Sequence, residues 1–125
     1  MFEKVVLIIS GGIAAYKSLE LIRLLKKNGA EVKCVATEAA LEFVTSATIE
    51  HLSGEPLRTL LHDRNEEIRM GHIELARWPD VILVAPATAN IISSMANGLA
   101  NDLAQTLLLA TTKPIYIVPA MNVRM

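Results

Sequence analysis

Apolar positions recur along the chain in two rhythms. Residues 5–10 (VVLIIS) form a short, continuous, β-branched run, which predicts a strand covered on both faces. Residues 14–28 instead place Ala15, Leu19, Ile22 and Leu25 at helical spacing, with Lys17, Glu20, Arg23 and Lys27 elsewhere around the helix and Asn28-Gly29 as its stop. Residues 31–37 (EVKCVAT) read as a second strand. Residues 38–53 read as helix, broken near Thr45-Ser46 and closed by the turn Gly54-Glu55-Pro56. Residues 57–70 carry no clear period: Leu60-Leu61 suggests a short strand or partial helix, and residues 62–67 a polar, mobile loop. A short helix over 72–78 follows, and Pro79-Asp80 leads into a strong strand at 81–85. Helices over 89–96 and 99–110, separated by Asn97-Gly98, precede a last strand at 114–118.

Strands alternating with helices imply right-handed crossovers and an α/β fold, a doubly wound parallel sheet with helices on both faces of the Rossmann or flavodoxin kind. Ligands in such sheets sit beyond the carboxyl ends of the strands. Four strand tips therefore matter: Ser10-Gly11-Gly12, Thr37-Glu38, residues 86–90 and residues 119–122.

Composition narrows the class. The 125 residues make one domain, and with 52% hydrophobic but only 4% aromatic residues its core is aliphatic. A net charge of -1 gives no electrostatic case for nucleic acid or an anionic membrane. No run approaches the ~20 apolar residues of a membrane span. The single Cys34 excludes a disulfide within the chain, and the first residues lack a signal-peptide pattern, so a cytoplasmic location is expected.

Gly11 and Gly12 stand between a buried strand and a helix start. Glycines there either let a ligand's anionic group approach free backbone N–H groups or simply serve a tight turn with positive φ. The dinucleotide pattern G-x-G-x-x-G and the P-loop ending G-K-S/T are both absent. Thr37 occupies a tip where dinucleotide folds often carry an acid. Thr88 and Asn90 offer neutral donors and acceptors, and Thr88 serves equally as an N-cap. His72 follows a glycine at a helix start, where the dipole disfavours imidazolium and suits a neutral base. His51 and His62 read as ordinary surface positions, Cys34 as core, and Asn101-Asp102 as a new cap after the stop at Asn97-Gly98. These residues outline a neutral, concave, phosphate-friendly site with one histidine.

Five motifs in order carry a resemblance: SGGIAAYK (10–17), GHIEL (71–75), APATAN (85–90), NGLANDL (97–103) and PAMNVRM (119–125). Together the chain resembles the flavin-dependent cysteine decarboxylases, and within them the phosphopantothenoylcysteine decarboxylases of coenzyme A biosynthesis. The resemblance implies an FMN enzyme that converts 4′-phosphopantothenoylcysteine to 4′-phosphopantetheine. In that family flavin oxidises the cysteine thiol to a thioaldehyde, the carboxylate leaves, and a cysteine on a later flap protonates the product. Carried over by motif, His72 is the catalytic histidine and Asn122 binds substrate. Gly11, Gly12 and Ile13 cradle FMN, with Thr37, Thr88, Ala89, Asn90 and Ala120 also lining it. The resemblance further implies homotrimers or dodecamers with sites between subunits, and fusion to or association with the phosphopantothenate–cysteine ligase that makes the substrate.

Two departures stand out. Ile91 follows Asn90 where the family more often has threonine, and residues 1–125 stop short of the family's flap, so a flavoprotein domain without its flap is expected. Peptidyl-cysteine decarboxylation, flavin prenyl transfer and a non-catalytic flavin-binding regulatory subunit remain the alternatives.

Overall fold

In the first strand, β1 (Lys4–Ile9), every side chain from Val5 to Ile9 is buried, and successive residues enter opposite cores. The structure, a computed structural model, describes residues 2–59 and 71–125. After β1 come a 3₁₀ turn (Ile13–Tyr16), α1 (Lys17–Lys27), β2 (Glu31–Ala36), a second 3₁₀ turn (Ala39–Glu42) and α2 (Ser46–Ser53). Beyond residue 70 follow α3 (His72–Arg77), β3 (Val81–Ala87), α4 (Ala89–Ala96), α5 (Leu103–Ala110) and β4 (Ile115–Pro119).

The four strands pair in parallel in the order β2-β1-β3-β4, with Leu7 of β1 opposite both Cys34 and Leu83. Alternation along the pleat divides the interior. Val5, Leu7 and Ile9 meet Ile22 of α1 and Ile49 of α2 on one face. Val6 and Ile8 meet Leu75 of α3, Ile91 of α4 and Leu107 of α5 on the other. A run with no polar alternation is therefore what two covered faces require. Burying each Val, Leu or Ile side chain contributes about 1.5–3 kcal/mol, so the central strands fix the register firmly.

The expected α/β architecture is present, with boundaries moved by local chemistry. The helix expected from residue 14 begins as a 3₁₀ turn, in which Ala15 N–H donates to the Gly12 carbonyl, and becomes α-helical only at Lys17. It ends as expected, with Gly29 at φ +91° and the Ala30 N–H donating back to Leu25. The segment 38–53 splits where Thr45 caps α2, its Oγ1 accepting from the Thr48 N–H at 3.2 Å. The helix expected from residue 99 starts at Leu103, because Asp102 caps it. The expectations at Leu60-Leu61, His62 and residues 62–67 lie outside the described residues. β4 is an edge strand, and Tyr116 and Val118 remain 52% and 50% exposed.

The chain leaves β1 towards β2 on one side and β3 towards β4 on the other. The strand order thus reverses between β1 and β3, and their carboxyl ends frame a crevice.

Candidate functional site

The crevice is built around one buried hydroxyl. Ser10, 1% exposed at the tip of β1, donates to the Pro86 carbonyl and accepts from the Thr88 N–H at 3.1 Å. It ties the two central strand tips together where β3 breaks register between Val84 and Ala87. Ala120 N–H donates to the Ala87 carbonyl at 3.0 Å, which brings the end of β4 to the same place.

The two glycines beyond Ser10 do different jobs. A Cβ on Gly11 would stand 2.5 Å from Ala39 Cβ and 2.7 Å from the Ala39 carbonyl carbon, so the turn after β2 packs against bare backbone. Gly12 has φ 177°, an extended conformation open to any residue, and a Cβ there would meet only Thr88 Cγ2 at 3.5 Å. Neither lies in the left-handed region that favours glycine. The turn-with-positive-φ explanation for this pair is thereby corrected: close approach demands Gly11, and Gly12 leaves space at the cleft. The N–H groups opening the 3₁₀ turn have no acceptor one turn earlier, as at any helix start.

Thr37 and Thr88 both hold turns. Thr37 Oγ1 accepts from the Ala40 N–H at 3.2 Å, and Thr88 Oγ1 caps α4 by accepting from the Ile91 N–H at 3.4 Å. Capping and lining thus coexist in the same residues. Asn122 Oδ1 accepts from the Arg124 N–H at 3.0 Å, and its Nδ2 has no acceptor among the described residues.

Between these tips lies a half-open cavity of about 1630 Å³. That exceeds the ~300–1,000 Å³ of usual small-molecule pockets, leaving room for two ligands side by side. Gly11, Gly12, Ile13, Thr37, Thr88, Ala89, Asn90, Ala120 and Asn122 all line it. Ile13 is 81% exposed, an apolar surface suited to a flat ring. His72 is not among the lining residues of its own chain. It opens α3 as expected, half-buried with Nδ1 fully enclosed.

Several lining residues escaped the sequence reading. Lys17 supplies the cation among the described lining residues, which also include the acidic Glu38 and Asp102. Asn101, Asp102 and Gln105 also line the cavity, although Asn101-Asp102 read only as a cap. The D-x-x-Q spacing of Asp102 and Gln105 was the available signal, since it marks a side chain folded back over a helix start. Cys34 is core, as expected: burial pushes its thiol up to about 12, although a Ser53 hydrogen bond and Lys26 pull the other way.

Comparison with known proteins fits this geometry. Residues 2–125 match the family described as Flavoprotein. The coenzyme A biosynthesis bifunctional protein CoaBC of Vibrio vulnificus is 54% identical over 123 residues, 98% of this chain and 31% of that protein. The chain therefore spans less than a third of the curated relatives it matches. Among solved structures, the FMN-dependent cysteine decarboxylase SpaF superposes with a TM-score of 0.88 at 27% identity, covering 98% of this chain and 70% of that one. A mutant PPC decarboxylase complexed with pantothenoylaminoethenethiol gives 0.78 at 30% identity, covering 98% and 69%. With its parallel sheet, its crevice at the strand tips and a match running from residue 2 to residue 125, the chain belongs to the flavoprotein family.

Proposed function

We propose that the crevice binds FMN and serves the decarboxylation of 4′-phosphopantothenoylcysteine to 4′-phosphopantetheine in coenzyme A biosynthesis. One observation carries this: nine residues from four strand tips line a single cavity at the reversal of strand order. The likeness to CoaBC proteins and to a PPC decarboxylase supplies the substrate class.

The residues fit the cofactor. FMN has one phosphate and no adenosine, which matches a bare glycine pair without a dinucleotide fingerprint. Gly11, Gly12 and Ile13 would hold its phosphate end through backbone N–H groups, with Lys17 as a nearby cation. Thr37, Thr88, Ala89, Asn90 and Ala120 would line the remainder. When bound, FMN would take two electrons from the substrate thiol, which makes loss of the neighbouring carboxylate feasible, and would return them after CO₂ has left, so that the product is the saturated thiol.

The protein's own groups position the substrate and handle its thiol proton. Asn122 donates from Nδ2 to the substrate carboxylate, holding it ionised so that CO₂ can leave and its bonding electron pair pass into the oxidised substrate. The tie from its Oδ1 to Arg124 orients that amide. His72 manages the proton on the substrate side. Since it stands apart from the cavity of its own chain, the complete site takes His72 from a neighbouring copy in a homotrimer or larger assembly. Association with a phosphopantothenate–cysteine ligase and a cytoplasmic location complete the proposal. No helix among the described residues is long and apolar enough to cross a membrane.

The purified protein should show a flavin absorption band released as FMN on denaturation. His72→Asn should keep that band and lose CO₂ release by about 10²-fold or more. Mixing His72→Asn with Asn122→Ala subunits should restore roughly a quarter of the sites, as random assembly of shared sites requires. No recovery on mixing would place His72 and Asn122 in one chain's site. A panel including a C-terminal peptidyl-cysteine would reassign the substrate if the peptide alone reacted.

A further inference from the structure

One hydrogen-bonded run in the cavity wall goes beyond helix capping. Gln105, in the first turn of α5, accepts from the Asn101 N–H through Oε1 at 2.7 Å and donates through Nε2 to Ser94 Oγ at 3.2 Å. Ser94, on α4 and only 4% exposed, donates in turn to the Asn90 carbonyl at 2.8 Å.

The direction of this run is fixed chemically. The Asn101 N–H can only donate, so the amide oxygen of Gln105 must face it. The amide nitrogen must then face Ser94, whose oxygen accepts, leaving the hydroxyl proton for Asn90. Three one-way bonds thus connect Asn101 to Asn90. Both residues line the cavity, one ahead of α5 and the other in the first turn of α4.

Capping alone does not require this. Asp102 Oδ1 already accepts from the Gln105 N–H at 2.7 Å, the ordinary cap of α5. In a standard capping box the Gln side chain would return to the N–H of the cap residue itself. Here it reaches one residue earlier, drawing residue 101 in, and spends its remaining donor on the neighbouring helix. The buried position of Ser94 shields the link from water, which strengthens such bonds and makes their geometry more exacting.

We propose that Gln105 and Ser94 are positioning residues that set the spacing between the Asn90 and Asn101 walls, and through it the affinity for the flavin. The proposal rests on the FMN assignment above. Ser94→Ala cuts the link while sparing the cap; Gln105→Met, uncharged and of similar length, removes both bonds of the amide. Flavin fluorescence quenching gives the Kd of each variant, thermal unfolding without FMN reports the cap, and visible circular dichroism reports the ring's surroundings.

Ser94→Ala and Gln105→Met should each raise the Kd for FMN by about fivefold, the scale of one net hydrogen bond. The double variant should be no weaker than Gln105→Met, because the two side chains act as one link. The dichroic band of bound flavin should change in both. A helix-capping role alone predicts a lower melting temperature for Gln105→Met and an unchanged Kd for Ser94→Ala; that result overturns the proposal. Should either single variant fail to fold, the other retains the same two outcomes. A wild-type chain without FMN affinity overturns the flavin assignment and this inference together, whereas wild-type affinity retained in the variants overturns this inference alone.

Discussion

Replacing Gly11 by alanine adds a single methyl where the structure leaves no room for one. The new Cβ would lie 2.5 Å from Ala39 Cβ, 2.7 Å from its carbonyl carbon and 3.0 Å from its oxygen. Carbon atoms in good contact stand about 3.5–4.0 Å apart, so the 3₁₀ turn must retreat by about 1 Å. Ala39 is exposed and could move, but the next residue, Ala40, is fully buried in the core with Ile9 and Ala36. The turn is also held by the Ala40 N–H bond to Thr37. Overpacking of this kind costs about 1–3 kcal/mol. Removing a glycine from the unfolded chain returns about 0.4–1 kcal/mol, since φ at Gly11 lies outside the left-handed region and alanine can adopt it. Taking the middle of both ranges, a net loss of about 1.3 kcal/mol remains, or roughly 3–7 °C in melting temperature for a domain of this size. Because Thr37, Glu38 and Ala39 line the cavity, FMN affinity should fall as well. Urea unfolding and flavin quenching measure the two effects, with Gly12→Ala as the control. Its Cβ meets only Thr88 Cγ2 at 3.5 Å and should be tolerated. Equal stability of Gly11→Ala and wild type, with unchanged Kd, would refute the close-approach argument.

Gly12→Val should fold with a near-normal urea midpoint yet lose FMN, because its γ-methyls occupy the cleft; stoichiometric flavin in the purified variant would remove Gly12 from the cradle. Ser10→Ala leaves the Pro86 carbonyl and the Thr88 N–H without their shared partner, and urea unfolding should show a loss of about 1–3 kcal/mol. Cys34 has a thiol raised from 9.0 to about 12, so it should resist thiol reagents at neutral pH until the protein unfolds. Below pH 9 it is protonated in both states; above it the unfolded chain ionises first, so stability should fall as pH rises from 9.0 towards about 12. Comparing Cys34→Ala with wild type by urea unfolding across that range isolates the effect, and parallel curves would count against it.

The motif-bearing tips were readable because their chemistry is local. A glycine pair after a buried strand, a threonine before a helix and a histidine after a glycine each announce themselves within a few residues. Gln105 did not, since its function as a link depends on Ser94, a residue on another helix. Ser10 likewise looked like the end of an apolar run until Pro86 and Thr88 were brought against it.

The sequence by itself determined the elements, their order and the parallel sheet, because apolar period and helix stops depend on neighbours along the chain. It also determined the family, through five short motifs in order. Tertiary structure alone decided why Gly11 must be glycine, since the clash comes from Ala39, 28 positions away across the sheet. It alone separated His72 from the cavity that gathers the other nine candidates. Contacts between distant segments are set by packing of the whole core, and no local pattern of residues encodes the distance between two strand tips.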